Sequence, residues 1–242
     1  MAAEQAQPVQ RVLVVAAHPD DVDFVSAGTI ATWTDAGLEV AYCILTDGDA
    51  GGFDPKVPRS AIAGIRQDEQ RKAAAVLGVT DVEFLGYPDG RLVVSIELRR
   101  DITRVIRRAR PDRVVVPPPQ RDLRNVYVSH PDHLAAGEAA LCAIYPDARN
   151  PFAHPELLAE EGLEAHTVRE VWVAVAHEKA DHYVDITDTF DRKIAALRAH
   201  TSQTAHMTDL DGRLRDWGTR QAQAAGFPEG RLAEGYLLLD TR

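Results

Sequence analysis

Apolar positions in this chain fall into short unbroken blocks separated by stretches of helical spacing. Residues 11–17 (RVLVVAA) are continuously apolar and β-branched, the pattern of a central parallel strand covered on both faces. The block stops at His18-Pro19-Asp20-Asp21. After it Val22, Val25, Ile30 and Trp33 recur at helical spacing behind an acidic start and ahead of Gly37, which predicts a helix over 22–36. Residues 39–46 predict a second buried strand. The alternation then repeats: a helix over 60–77 closing at Gly78, a strand over 82–85, a helix over 95–109 and a strand over 113–116. Alternating strands and helices predict an α/β fold with a mainly parallel, Rossmann-like sheet flanked by helices.

The strand over 113–116 runs into Pro117-Pro118-Pro119, which cannot continue a central ladder, and a polar loop reaches Ser129 before a helix over 131–144. Residues 145–168 carry Pro146, Pro151 and Pro155 with little periodicity and predict a loop-rich surface excursion. A strand over 170–175 and a helix over 188–199 follow, and residues 201–242 are assigned to a peripheral C-terminal segment. With 242 residues, no internal repeat and no linker-like boundary, the whole of 1–242 is expected to be one domain, with 1–10 as a flexible N-terminus.

Composition narrows the class. At 45% hydrophobic and 26% charged residues the chain can bury a sizeable core. No run of 18 apolar residues occurs, so no membrane span is expected, and the polar start lacks the basic-then-apolar order of an export signal. The two cysteines, Cys43 and Cys142, each lie in an apolar segment and are expected to be buried free thiols, which points to a reducing, cytoplasmic setting. A net charge of −10 opposes binding to a phosphate backbone, so nucleic acid is excluded as a partner. Homo-oligomerisation is a general expectation only.

The chemistry concentrates in two clusters. In an open parallel sheet ligands bind outside the carboxyl ends of the strands, where the first strand meets His18-Pro19-Asp20-Asp21. An imidazole and a carboxylate three residues apart across a tight turn can share one divalent metal, leaving Asp20 to take a proton from an attacking water. A lone Asp at that place is more often a helix N-cap, but His18 beside it favours the metal. The second cluster, Ser129-His130-Pro131-Asp132-His133, follows the fourth strand and can face the first across the sheet edge. Of its two neighbouring imidazoles, one can ligate a metal while the other hydrogen-bonds a substrate oxygen. Gly-x-Gly-x-x-Gly, Gly-Lys-Ser/Thr and Gly-x-Ser-x-Gly are all absent from the chain, which argues against dinucleotide, P-loop and serine-hydrolase chemistry.

Ala17-His18-Pro19-Asp20-Asp21 and His130-Pro131-Asp132-His133 resemble the signature motifs of the zinc-dependent N-acetylglucosaminyl deacetylases related to PIG-L and LmbE, which include the mycothiol- and bacillithiol-pathway deacetylases. The resemblance extends to Thr46-Asp47-Gly48-Asp49, to Arg66 and Glu69 ahead of Leu77-Gly78, to Leu85-Gly86-Tyr87-Pro88-Asp89-Gly90 and to the segment 193–203 with His200, covering most of 11–203. It departs at Val128, where the mycothiol branch carries Tyr, and at Asp23, where many relatives carry Glu.

The resemblance implies an LmbE-like fold in which His18, Asp21 and His133 hold the metal and Asp20 is the general base. His130 would be a positively charged group that stabilises the oxyanion or protonates the leaving amine, and Asp132 would orient a neighbouring imidazole. Arg66 and Asp89 would contact substrate. Zinc suits the mixed nitrogen and oxygen donors, and Fe2+ or another divalent ion fits the same set. The implied reaction is hydrolysis of the N-acetyl group of an N-acetylglucosamine-type moiety on a small glycoside, thiol precursor or natural-product intermediate, releasing acetate and a free amine. Alternatives are an amidase for a larger N-acyl group, such as a thiol conjugate or lipidated sugar housed by residues 145–168, and a non-catalytic metal-binding protein. Too few further carboxylates lie at the strand ends to favour a two-metal phosphoesterase.

Overall fold

The structure, a computed structural model, describes residues 8–176 and 178–241. In chain order its elements are β1 (Arg11–Ala16), α1 (Asp21–Asp35), β2 (Glu39–Thr46), α2 (Arg59–Val76), β3 (Asp81–Tyr87), α3 (Ile96–Ala109), β4 (Arg113–Val116), α4 (Pro131–Cys142), α5 (Pro155–Ala159), β5 (Glu170–Ala174), β6 (His182–Asp185), α6 (Phe190–Ala199), α7 (Thr201–Thr204), α8 (Leu210–Ala224) and β7 (Ala233–Asp240). The strands form one sheet in the order β3-β2-β1-β4-β5-β7-β6. The first five lie parallel, and β7 runs antiparallel to both β5 and β6.

The unbroken apolar run of β1 follows from burial on both faces. Leu13, Val15 and Ala17 pack with Cys43, Leu45, Val114 and Val116 against Leu98, Ile102 and Ile106 of α3 and Ala136, Ala139 and Ala140 of α4. Val12, Val14 and Ala16 face the other way, toward Val22, Ile30 and Ala31 of α1, Ala73 and Leu77 of α2 and Ala196 of α6. A third, smaller core joins α6 to α8 through Phe190, Ile194, Leu197, Leu210 and Leu214.

Two expectations are corrected. Residues 201–242 are not peripheral, because β7 is inserted into the sheet and fully buries Tyr236. Its apolar pattern is masked by Glu234, a carboxylate only 2% exposed. Glu234 accepts hydrogen bonds from the backbone N–H groups of Gly28 (3.1 Å) and Thr29 (2.7 Å) in α1 and from Lys193 Nζ (2.6 Å). The excursion over 145–168 contains α5 and is clasped to the end of α3, where the Arg107 guanidinium donates to the carbonyls of Asp147, Asn150 and Ala153. Of the expected flexible N-terminus, residues 1–7 lie outside the described residues. The N–H groups of Gln10 and Arg11 are anchored on Asp112 Oδ2 at 2.9 and 3.0 Å. Cys43 is buried, whereas Cys142 is only partly so, and both are free.

The order of strands fixes where a ligand can sit. From β1 the chain crosses to β2 and β3 on one side, then returns to place β4 and β5 on the other, so the turns after β1 and β4 diverge and leave a crevice at the carboxyl edge.

Candidate active site

Both motifs occupy that crevice. The turn after β1 is held by Asp21, the first residue of α1, whose Oδ2 accepts the backbone N–H of His18 at 2.8 Å. The same carboxylate meets two imidazoles: Oδ2 lies 3.3 Å from His18 Nδ1 and Oδ1 lies 3.0 Å from His133 Nε2. The two ring nitrogens are themselves 3.2 Å apart. Donors bound at about 2.0–2.2 Å to a tetrahedral ion lie roughly 3.4 Å from one another. Each contact is of that size, the two to the carboxylate being made by different oxygens of Asp21, and the donor chemistry, two imidazoles and a carboxylate, fits zinc.

His18 Nε2 faces the opposite way, 3.0 Å from Asp89 Oδ1 and 3.3 Å from Asp132 Oδ2. Asp132 is also bound by the N–H groups of Gly90 (2.7 Å) and Leu92 (3.2 Å), so one carboxylate ties the loop after β3 to the His18 ring. His18, Asp89 and Asp132 form a second set of close donors, as do His18, His130 and His133. The commitment of Asp132 to two backbone amides suits it to orienting the His18 ring from outside a metal centre.

His130 stands edge-on to His18 with ring centroids 4.9 Å apart. It is the N-cap of α4, its Nδ1 accepting the Asp132 N–H at 3.2 Å. A neutral ring with Nδ1 as acceptor carries its proton on Nε2.

Electrostatics divide these groups. Burial alone would discharge His18, but Asp21, Asp132 and Asp89 outweigh it and push the ring up to about 12. His133 is also raised, burial being overcome by Asp21, and Asp21 is held well below the usual carboxylate range by His133 and His18 in spite of burial. His130 is lowered, by burial first and then by the neighbouring His18 and His133. Burial and the neighbouring imidazoles thus disfavour the positive charge expected on His130, and any cation held by its neighbours acts in the same direction.

Asp20 differs from its neighbours. Burial drives its carboxyl up from 3.8 to about 6, with Arg66 pulling down and Asp21 adding to the rise. Its backbone is left-handed (φ 101°, ψ −28°), which costs a non-glycine residue about 1–3 kcal/mol. Two side chains one helical turn apart on α2 hold it there. Gln70 Oε1 accepts the Asp20 N–H at 2.8 Å, and Arg66 lies 3.2 Å from Asp20 Oδ2 while donating to the carbonyl of Pro19.

The structure spends Arg66 and Asp89 on this framework. Arg66 is 4% exposed and also reaches the carbonyl of Gly48 (3.1 Å) and Asp89 Oδ2 (3.6 Å). The backbone of Asp89 is fixed in turn by Asp49, whose Oδ1 accepts its N–H at 3.0 Å. The motif-based assignment did not include Gln70 or Asp23. Asp23 Oδ2 accepts from Gln70 Nε2 and is paired with His200 Nε2, each at 2.8 Å. The one signal for Gln70 in the chain is its place four residues after Arg66, on the same helix face.

The model of the PIG-L family, described as GlcNAc-PI de-N-acetylase, matches residues 13–144. A diacetylchitobiose deacetylase of Thermococcus kodakarensis is 36% identical over 200 residues, covering 83% of this chain and 72% of the relative. A probable N-acetyl-alpha-D-glucosaminyl L-malate deacetylase of Bacillus anthracis is 30% identical over 222 residues, covering 88% and 91%. Among solved structures, N,N'-diacetylchitobiose deacetylase from Pyrococcus horikoshii, complexed with an inhibitor, superposes with a TM-score of 0.87 at 31% identity, covering 96% of this chain and 84% of the other.

Proposed function

The chain belongs to the PIG-L family of de-N-acetylases, and from that premise we propose that it is a metal-dependent hydrolase that removes the N-acetyl group from an N-acetylglucosamine-type moiety. The observation that carries this is the convergence of His18 Nδ1, the two oxygens of Asp21 and His133 Nε2, with contacts of 3.0–3.3 Å, set beside a carboxylate raised to about 6. We assign zinc as the ion, on the strength of the donor set.

His18, Asp21 and His133 would hold a divalent ion, which would supply Lewis acidity for the acetyl carbonyl and for water. Asp20 is ionised at neutral pH yet more basic than an ordinary carboxylate, so it takes the proton as the water oxygen bonds to the carbonyl carbon. His130, neutral with its proton on Nε2, donates a hydrogen bond to the developing oxyanion. Asp20 returns the proton to the departing nitrogen as the C–N bond breaks, giving acetate and a free amine. Asp89 and Asp132 hold the His18 ring, and Arg66 holds Asp20 and the turn before it. The two free thiols support a reducing, cytoplasmic setting.

A second reading, hydrolysis of a larger acyl group or of a sugar bearing an apolar aglycone, is favoured by the apolar side chains exposed on the carboxyl-edge loops: Phe53, Val93, Leu123 and Val126 are each at least 60% exposed. Residues 145–168 do not serve this purpose, because they are pinned at the opposite edge of the sheet, where His166 Nε2 lies 2.8 Å from the carbonyl of Pro111 just before β4.

The test is free-amine release from N,N'-diacetylchitobiose and a set of N-acylglucosaminides of increasing acyl length, by metal-stripped and zinc-restored protein. Zinc-dependent release of acetate establishes the reaction. A preference for long acyl chains moves weight to the second reading, and zinc bound without release of any acyl group refutes both.

A further inference from the structure

Behind the candidate base lies a closed line of hydrogen bonds with a defined polarity. His200, Asp23 and Gln70 are each fully buried. The line runs from His200 Nε2 to Asp23 Oδ2 (2.8 Å), from Gln70 Nε2 to the same oxygen (2.8 Å), and from the Asp20 N–H to Gln70 Oε1 (2.8 Å). An ionised carboxylate can only accept, so Asp23 compels Gln70 to present its NH2 inward and its carbonyl oxygen to Asp20. With the opposite amide orientation, an NH2 would face the Asp20 N–H, donor against donor, beneath a residue already in the left-handed region at φ 101°.

The line is costly to keep. Asp23 Oδ1 and His200 Nδ1 are buried without a hydrogen-bond partner. A half-satisfied buried network is less favourable than an apolar core of the same shape, so stability does not account for it. A need to hold the turn at Asp20 does.

We propose that Gln70 is a positioning residue for Asp20, and that Asp23 and His200 set the orientation of its amide. This rests on the reading of Asp20 as general base. It assigns a role to three residues that touch neither the candidate metal ligands nor the substrate.

The polarity of the line supplies its own test, in the zinc-loaded full chain. Asp23→Asn sets its amide oxygen where Asp23 Oδ2 stood, still accepting from both His200 and Gln70, and is the control that removes the charge without reversing the line. Gln70→Glu sets two carboxylates together. The double variant Asp23→Asn, Gln70→Glu restores the order, because the new amide, turned to present its NH2, donates both to the new carboxylate, which still accepts the Asp20 N–H, and to His200 Nε2 in the tautomer protonated on Nδ1, and the total charge is that of the wild type. Acetate release from N,N'-diacetylchitobiose, zinc per chain, thermal stability and hydrogen exchange of the Asp20 amide are compared in all four proteins.

Gln70→Glu is expected to lose roughly ten- to a hundredfold in kcat with KM and zinc content within about twofold, the loss a misplaced catalytic group brings, whereas Asp23→Asn stays within about threefold of wild type. Exchange of the Asp20 amide should quicken about tenfold in Gln70→Glu. The double variant should recover most of both. A Gln70→Glu variant that keeps kcat, or a double variant no better than it, would overturn the proposal. If the wild type releases no acetate, the base assignment falls, while the exchange pattern still decides whether Gln70 holds the turn.

Discussion

Asp20→Asn removes a charge while keeping the shape of the side chain and its capacity to accept from Arg66. Burial drives the Asp20 carboxyl from 3.8 to about 6, against the pull of Arg66. Below pH 3.8 the group is protonated whether the chain is folded or unfolded, and it contributes nothing. Above about 6 it is ionised in both states, and the fold bears the whole difference. At about 1.4 kcal/mol per pH unit this amounts to roughly 3 kcal/mol at neutral pH, with little discount for solvent because the side chain is only 14% exposed. Metal-stripped Asp20→Asn should therefore be about 2–3 kcal/mol more stable than wild type near pH 7.5, or roughly 5–10 °C in Tm for a chain of this length. The gap should close as pH falls from about 6 to about 4. Urea melts of the two proteins at four pH values, with chelator present, measure it directly. A variant equally or less stable at pH 7.5, or a gap that ignores pH, would refute the placement of an ionised, poorly solvated carboxylate at this turn. Turnover should fall by about a hundredfold or more in the same variant.

Two further outcomes follow from the geometry. Zinc added to the stripped protein at neutral pH should release between about one and two protons per ion, because His18, raised to about 12, and His133, also raised, must give up their protons to become ligands; an indicator dye in weak buffer reads this, and no release would count against these imidazoles as ligands. Gly137→Ala should destabilise the fold by roughly 1–3 kcal/mol, since a Cβ there meets the carbonyl of Pro117 and the backbone of Pro118 and Pro119, where α4 lies against the exit from β4; a thermal melt indistinguishable from wild type would show that this approach is not tight.

The parts of the protein that local pattern could reveal were those made by neighbours in sequence. The β-branched run of β1, the helical spacing of α1 and the repeated alternation to β4 are each set within about twenty residues, and both metal-binding motifs sit next to the strand ends that display them. The C-terminal strands were hidden because their residues answer to distant ones. Glu234 reads as a solvent-facing charge until the amides of α1 and Lys193, 41 residues away in sequence, are brought onto it. For the same reason β7 and β6 gave no clear strand pattern.

The sequence alone determined the types of the candidate ligands, their spacing and their place at the carboxyl edge, because a turn between strand and helix fixes side chains three residues apart whatever surrounds them. Tertiary structure alone decided what each group does. It turned Arg66 toward Gly48 and Asp89 toward His18, disfavoured the charge on His130 beside two imidazoles, and set Gln70 under Asp20 and Asp23 under Gln70 across separations of 50 and 47 residues. Burial and the approach of opposite charges exist only once the sheet has brought those segments together, and they are what separate a base from a ligand among carboxylates that look alike in the chain.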